Sequence, residues 1–158
     1  MQNHGAAFNC ALSLLSLERF EEAKLLLRKM IPVAQRVLGA NHDCTLRLRS
    51  CYAKALYHDP AATLDDLREA ATTLEDTERT ARRVLGGAHP VVAAFENSLR
   101  GSQAALERAL AKAEIAANEA KIAANEANIS TCERALHVLD ALSPRESGFG
   151  EAVAEAPF

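Results

Sequence analysis

The residues best suited to chemistry in this chain are its five histidines and four cysteines. His42 and His89 occupy matching positions 47 residues apart, and this repetition favours a side-chain hydrogen bond that stabilises a turn over catalysis. Cys44 and Cys51 lie seven residues apart on one face of a predicted helix. They are not part of a set of four nitrogen and sulfur ligands at the usual spacing, which a structural zinc site requires. We therefore expect no metal and no cofactor.

No pattern in the sequence predicts catalysis. Asp65 and Asp66 form a nominal carboxylate pair, but adjacent positions on a helix do not face each other. Their place in a predicted first helical turn is better explained by the helix dipole. The chain contains no phosphate-binding loop, dinucleotide fingerprint, HExxH or GxSxG motif. The sequence therefore predicts that this chain is not an enzyme.

The composition predicts an all-α protein. Hydrophobic residues make up 49% of the chain but aromatic residues only 4%, and Ala and Leu, both strong helix formers, supply most of the apolar content. The cysteines show no CxxC pairing and suggest small buried apolar residues in a reducing compartment. We find no apolar run long enough to span a membrane and no signal-peptide pattern. We expect a cytoplasmic protein without membrane insertion.

The charge is unevenly distributed along the chain. The net charge is −3, yet residues 18–54 contain eight Lys or Arg against four Asp or Glu. This basic segment could attract an acidic peptide, although a solvated mixed face would have the same composition. A nucleic-acid partner is disfavoured, because the chain is acidic overall and offers few aromatic rings for base stacking. The candidate partner-binding residues are Lys24, Arg28, Arg47, Arg49 and Lys54.

An internal repeat organises the first two thirds of the chain. The strings QRVLGANH and RRVLGGAH, which begin at Gln35 and Arg82, match at an offset of 47 residues. In each, a helical pattern ends at a glycine, which accepts a left-handed conformation, and a new helix follows. We expect Asp43 to cap the third helix and Thr63 to cap the fourth, and Pro90 to begin the fifth. The predicted helices are 6–17, 20–38, 43–57, 63–85 and 90–106.

Two sets of apolar residues predict how these helices pack. Ala11, Ala23 and Ala53 fall where neighbouring helices must approach closely. The second set follows the i, i+3, i+4 spacing of a core-facing stripe and comprises Phe8, Leu14, Phe20, Leu26, Leu27 and Ile31.

At these residues the sequence resembles a known family. The segment ERFEEAKLLLRKMIPVAQRVLGANH, which begins at Glu18, resembles a kinesin-light-chain-type tetratricopeptide (TPR) repeat, whose pattern reads GRYEEAEPL…VLGPDHP. The segment YAKALYHDPAATLDDLREAATTLEDTERTARRVLGGAHP resembles a unit of TPR arrays found in algae. The resemblance covers about residues 6–106. It implies a solenoid of antiparallel helix pairs that recognises partner proteins through its concave face. The zinc-finger cysteines of some such arrays are absent, and Arg100 replaces the small residue represented by Ala53, which suggests a capping helix.

The pattern changes after Leu106. Heptads reading AEIAANE, AKIAANE and ANISTCE place an apolar residue at every seventh position. This stripe consists of Ile115, Ile122, Ile129 and Leu136, and we expect it to be a helix-docking surface. It could lean on the last repeat as a solvated helix, support weak self-association, or bind a partner. The segment contains no Pro or Gly up to Ser143, so we expect one long helix continuous with, or close to, the final repeat.

The sequence thus predicts three regions: TPR-like repeats at 1–106, a long Ala-rich helix at 107–142 and a disordered tail at 143–158. The predicted function is that of a protein–protein interaction scaffold whose concave face binds a partner peptide or subunit. The alternative is a structural subunit of a larger assembly, docked through the Ala-rich helix.

Overall fold

A computed structural model describes residues 4–143 of the chain, and this part contains α-helices and no β-strand. The all-α class predicted from composition is therefore confirmed. The predicted disordered tail, apart from Ser143, lies outside the described residues. The five helices are α1 (His4–Ser16), α2 (Phe20–Leu38), α3 (Asp43–Tyr57), α4 (Leu64–Leu85) and α5 (Pro90–Leu142).

The helix boundaries follow the local signals closely. Four predicted helices agree with the structure to within two residues at either end. The fifth does not stop near residue 106: α5 runs for 53 residues to Leu142, which confirms the expected continuous helix. Strong helix formers fill this segment after Gly101, and nothing in it interrupts the hydrogen-bond ladder.

The two glycine joints have nearly the same geometry. Gly39 has φ 100° and ψ 153°, and Gly86 has φ 86° and ψ 148°. The expected positive φ is confirmed, but the ψ values lie outside the left-handed helical region and in one that is essentially restricted to glycine. Each glycine N–H donates to the carbonyl four residues earlier, at 3.1 Å. Both repeats therefore end their second helix in the same way.

Histidine side chains accept hydrogen bonds from the first turn of the helices that follow these joints. The backbone N–H of Cys44 donates to His42 Nδ1 at 3.2 Å, and that of Val91 donates to His89 Nδ1 at 3.3 Å. The predicted turn-stabilising role of both histidines is confirmed. The expectation that Asp43 caps α3 is wrong, because His42 has the extended backbone of the N-cap and Asp43 is already helical.

The start of α4 carries the predicted cap. Thr63 Oγ1 accepts a hydrogen bond from the backbone N–H of Asp66, and the Asp66 carboxylate accepts one from the N–H of Thr63, at 3.2 and 2.9 Å. This reciprocal arrangement is a capping box, and it lowers the pKa of Asp66 through the hydrogen bond from the Thr63 backbone.

The core is centred on α3, which packs against α1, α2 and α4. Ala11, Ala23 and Ala53 are fully buried, in agreement with the predicted close approaches. The predicted apolar stripe forms the edge of this core: Leu27 is fully buried, Phe20 is half-buried, and the others pack partly buried against the cluster. A second cluster joins α3, α4 and the start of α5, and consists of Leu46, Ala81, Val92 and Phe95.

The chain divides into two units, the first ending at Ala113 and the second beginning at Glu114. Arg100, on α5 within the first unit, is exposed and bonds to Asn97, as expected for a polar outer face. Every residue from 110 to 143 is exposed. Within the described range, no helix is both long and apolar enough to cross a membrane.

Candidate functional site: a groove along α1, α3 and α5

Two adjoining cavities form a groove on the face built by α1, α3 and the first turns of α5. The narrower cavity has a volume of about 130 Å³ and is bounded by residues from all three helices. The wider one, of about 460 Å³, continues past the α1–α2 turn towards Phe20 and Pro60. Leu12 and Lys54 line both cavities. We call this surface the α1–α3–α5 groove.

The narrow part of the groove is mostly apolar. Phe8 and Leu12 contribute from α1, and Val91 and Phe95 contribute from α5. Cys51 lies between them and is 3% exposed. Burial raises the pKa of its thiol to about 11, so the thiol is neutral at physiological pH and acts as an apolar wall.

Two of the predicted basic residues line this groove together. Arg47 and Lys54 are seven residues apart on α3, which places them on one face of the helix. Arg47 forms an ion pair with Asp43, with Nε 2.9 Å from Oδ2. Lys54 forms no ion pair with any residue of the described chain. The ammonium at the junction of the two cavities is therefore available to an acidic group.

Arg28 and Arg49 lie on a different face, beside a cavity of about 300 Å³ bounded by α2, α3 and α4. The Arg28 Nε donates to Tyr52 Oη at 3.1 Å, and Tyr52 Oη donates to Glu69 at 3.0 Å. Burial raises the pKa of Tyr52 despite the lowering effect of Arg28. Because Arg49 is two residues from Arg47, it points about 200° away around α3. The predicted set of basic residues is therefore not one surface.

Lys24 does not belong to any exposed basic surface. Its side chain is 7% exposed, and its Nζ lies 2.6 Å from Asp59 Oδ2 and 2.8 Å from Glu21 Oε1. Burial alone would lower the pKa of Lys24, but these two hydrogen bonds outweigh it and raise the pKa. The hydrogen bond from Lys24 also lowers the pKa of Asp59. This ion pair ties α2 to the α3–α4 loop, a role that charge density alone did not reveal.

The cysteines only partly match the expectation of burial. Cys51 is buried and Cys44 is half-buried, but Cys10 and Cys132 are exposed, and all four are free. For the exposed pair the expectation was wrong, because helix-interior position does not determine which face points inward. Within residues 4–143, no cluster of three or more His, Cys, Asp or Glu side chains could hold a metal ion.

The predicted docking stripe on α5 is exposed to solvent. Ile115, Ile122 and Ile129 are each 58–59% exposed and Leu136 is 61% exposed. Val138, Leu139 and Leu142 are exposed to a similar or greater degree.

Sequence reasoning did not identify the groove, although the repeat contained a signal that two of its lining residues are equivalent. The 47-residue offset relates Arg47 to Ala94, and both line the narrow cavity. Comparison with known protein families, curated proteins and solved structures found no match to this chain.

Proposed function

We propose that this chain is a non-enzymatic scaffold that binds a segment of a partner protein in the α1–α3–α5 groove. The observation that carries this proposal is Lys54, which lies where an apolar cavity joins a wider one and has no acidic partner within the described chain. A segment with one apolar side chain followed by a carboxylate complements this arrangement. The apolar group fills the narrow cavity, and the carboxylate pairs with Lys54.

The local geometry supports a TPR-type role. The groove is formed by α1, α3 and α5, which are the first helices of successive helix pairs. The resemblance to TPR solenoids implies that these helices form the binding face. Glu18 stands where the family pattern has glycine, and it is the non-glycine residue with positive φ, 56°, in the described chain. A backbone that favours glycine at this position is what the family pattern requires.

We infer that the protein works in a reducing intracellular compartment, and specifically in the cytoplasm. Four free cysteines, two of them exposed, support this assignment, since reducing compartments keep thiols unpaired.

Selection from a random peptide library displayed on phage tests the proposal. We expect selected peptides to combine an apolar and an acidic residue, and their affinity to fall as salt rises, because the contact with Lys54 is electrostatic. Synthetic versions would then be titrated against the wild-type chain and charge-reversed variants.

Arg49 supplies a matched control, since it lies on the same helix as Arg47 and Lys54 but on another face. We expect Lys54→Glu and Arg47→Glu each to weaken binding by about tenfold or more, and Arg49→Glu to leave it within about twofold. Equal losses in all three variants, or a library that yields no binder, would contradict the groove as the binding site.

A further inference from the structure

The second part of α5 presents an apolar stripe with a strict seven-residue period. The four stripe residues are about 60% exposed, and Leu139 continues the apolar surface at 62%. Coiled coils form where apolar residues repeat at positions a and d of a heptad, and this stripe supplies the apolar residues of position a. A single helix without such packing is marginal in water.

We propose that residues 115–142 pair with the same residues of a second copy of this chain, as a parallel, in-register, two-stranded coiled coil. This inference is independent of the α1–α3–α5 groove. It rests on the exposed stripe, on the polar residues within its seam and on the charges beside it.

The polar residues within the seam select a second copy as the occupant. With Ile115 at heptad position a, the d positions hold Asn118, Asn125, Cys132 and Leu139. In a parallel in-register pair each layer meets itself, so every asparagine faces an amide that can both donate and accept. An antiparallel copy sets a against d, so the asparagines would face Ile or Leu without a hydrogen-bond partner. Such an unsatisfied buried amide is destabilising.

The charged residues beside the seam, at positions e and g, also favour the parallel arrangement. The e positions hold Glu119, Glu126 and Glu133, and one g position holds Lys121. In a parallel pair, Lys121 of each copy meets Glu126 of the other, while Glu114 meets Glu119 unfavourably. In an antiparallel pair the e positions face each other, so glutamate opposes glutamate along the seam. The parallel dimer has the better charge balance.

The seam predicts a reversible dimer. Polar residues at core positions specify register but weaken association, and exposed ion pairs add little. We therefore expect a monomer–dimer equilibrium that depends on protein concentration.

Sedimentation of the full chain over a wide concentration range tests this inference. The mass should rise from 17.0 kDa towards twice that value. The double variant Ile122→Asp, Ile129→Asp should stay monomeric, because it places charge in two seam layers. The control Ala120→Asp, Ala127→Asp makes changes at the same spacing on the opposite face and should dimerise like the wild type. Thermal melting checks that the first unit remains folded in all variants.

Cys132 reports the register, because it occupies a d position. In a Cys10→Ser background, oxidation by copper phenanthroline should link Cys132 of two copies, and Cys132→Ser should abolish the link. Moving the thiol to the outer face, with Ala127→Cys in the Cys132→Ser chain, should restore little of it.

Three results would overturn the proposal. One is a mass that stays at 17.0 kDa at every concentration, and another is a double seam variant that still dimerises. The third is a dimer without the Cys132 link, which excludes the parallel register.

Discussion

The two units of this chain are both helical, but different interactions stabilise them. In the first unit the apolar side chains form a core, in which Leu48, Leu56 and Leu74 are fully excluded from solvent. In the second, every described side chain is exposed, so within a single chain the helix is favoured by local propensity and backbone hydrogen bonds. The comparison shows that one part of this chain is helical with a buried core and another part is helical without one. A substitution should therefore have a large effect in one unit and a small effect in the other.

The largest expected effect comes from leucine truncation. Leu56→Ala should lower the free energy of unfolding by about 2–5 kcal/mol, because it removes a fully buried side chain and leaves a cavity. Leu136→Ala, the same change at an exposed position, should alter it by less than about 0.5 kcal/mol in dilute protein. Urea denaturation measures both. Similar losses at the two positions would contradict the contrast between the units.

Removal of the half-buried Asp59 carboxylate should come next. Asp59→Asn should destabilise by about 1–3 kcal/mol, because the Lys24 ammonium loses a charged partner. Folding lowers the pKa of Asp59 below its ordinary 3.8 and raises that of Lys24 above 10.5. The contribution of Asp59 is therefore present above about pH 4 and is lost as the pH falls through the folded-state value. That of Lys24 is lost only as the pH rises through its own raised value.

Denaturation of wild type and Asp59→Asn at a series of pH values checks this expectation. The stability difference should stay constant at neutral pH and shrink in acid. Asp65→Asn is the control, because Asp65 pairs with Arg68 on the surface, where ion pairs contribute little. A difference that persists in strong acid would show that the pair is not its source.

Enlarging a buried alanine tests the close helix approach. Ala23→Phe should destabilise by about 1–3 kcal/mol through overpacking, since Ala23 is fully buried between helices. Ala120→Phe changes an exposed position of α5 and should cost no more than its helix propensity, about 0.7 kcal/mol or less. Thermal melting compares the two. Equal melting temperatures would mean that Ala23 tolerates a larger side chain.

A backbone effect of about 1–2 kcal/mol is expected at the first joint. Gly39→Ala should destabilise because φ is 100°, although a Cβ there would meet no atom within 4 Å. Gly87→Ala is the control, since Gly87 lacks a positive φ and a Cβ would make only ordinary contacts with Arg82. If Gly39→Ala matched Gly87→Ala in stability, the joint would not need glycine.

The smallest effect should follow truncation after Ala113, the last residue of the first unit. Because no residue beyond 109 in the described chain is even half-buried, the melting temperature of the shortened chain should stay within a few degrees of the wild type. Calorimetry at low protein concentration measures it. A large fall would show that the second unit stabilises the first.

The sequence by itself determined the features that depend on neighbouring residues. The helix ends, both glycine joints, the Thr63 cap and the turn role of the two histidines all follow from local signals, because capping groups lie within a few residues of the backbone they satisfy. Tertiary structure alone decided which charged side chains from different helices share a surface. It brought Arg28 and Arg49, from two different helices, to one cavity, and it paired Lys24 with Asp59, 35 residues away. Such pairings depend on how distant helices pack, which composition and charge density along the chain do not specify.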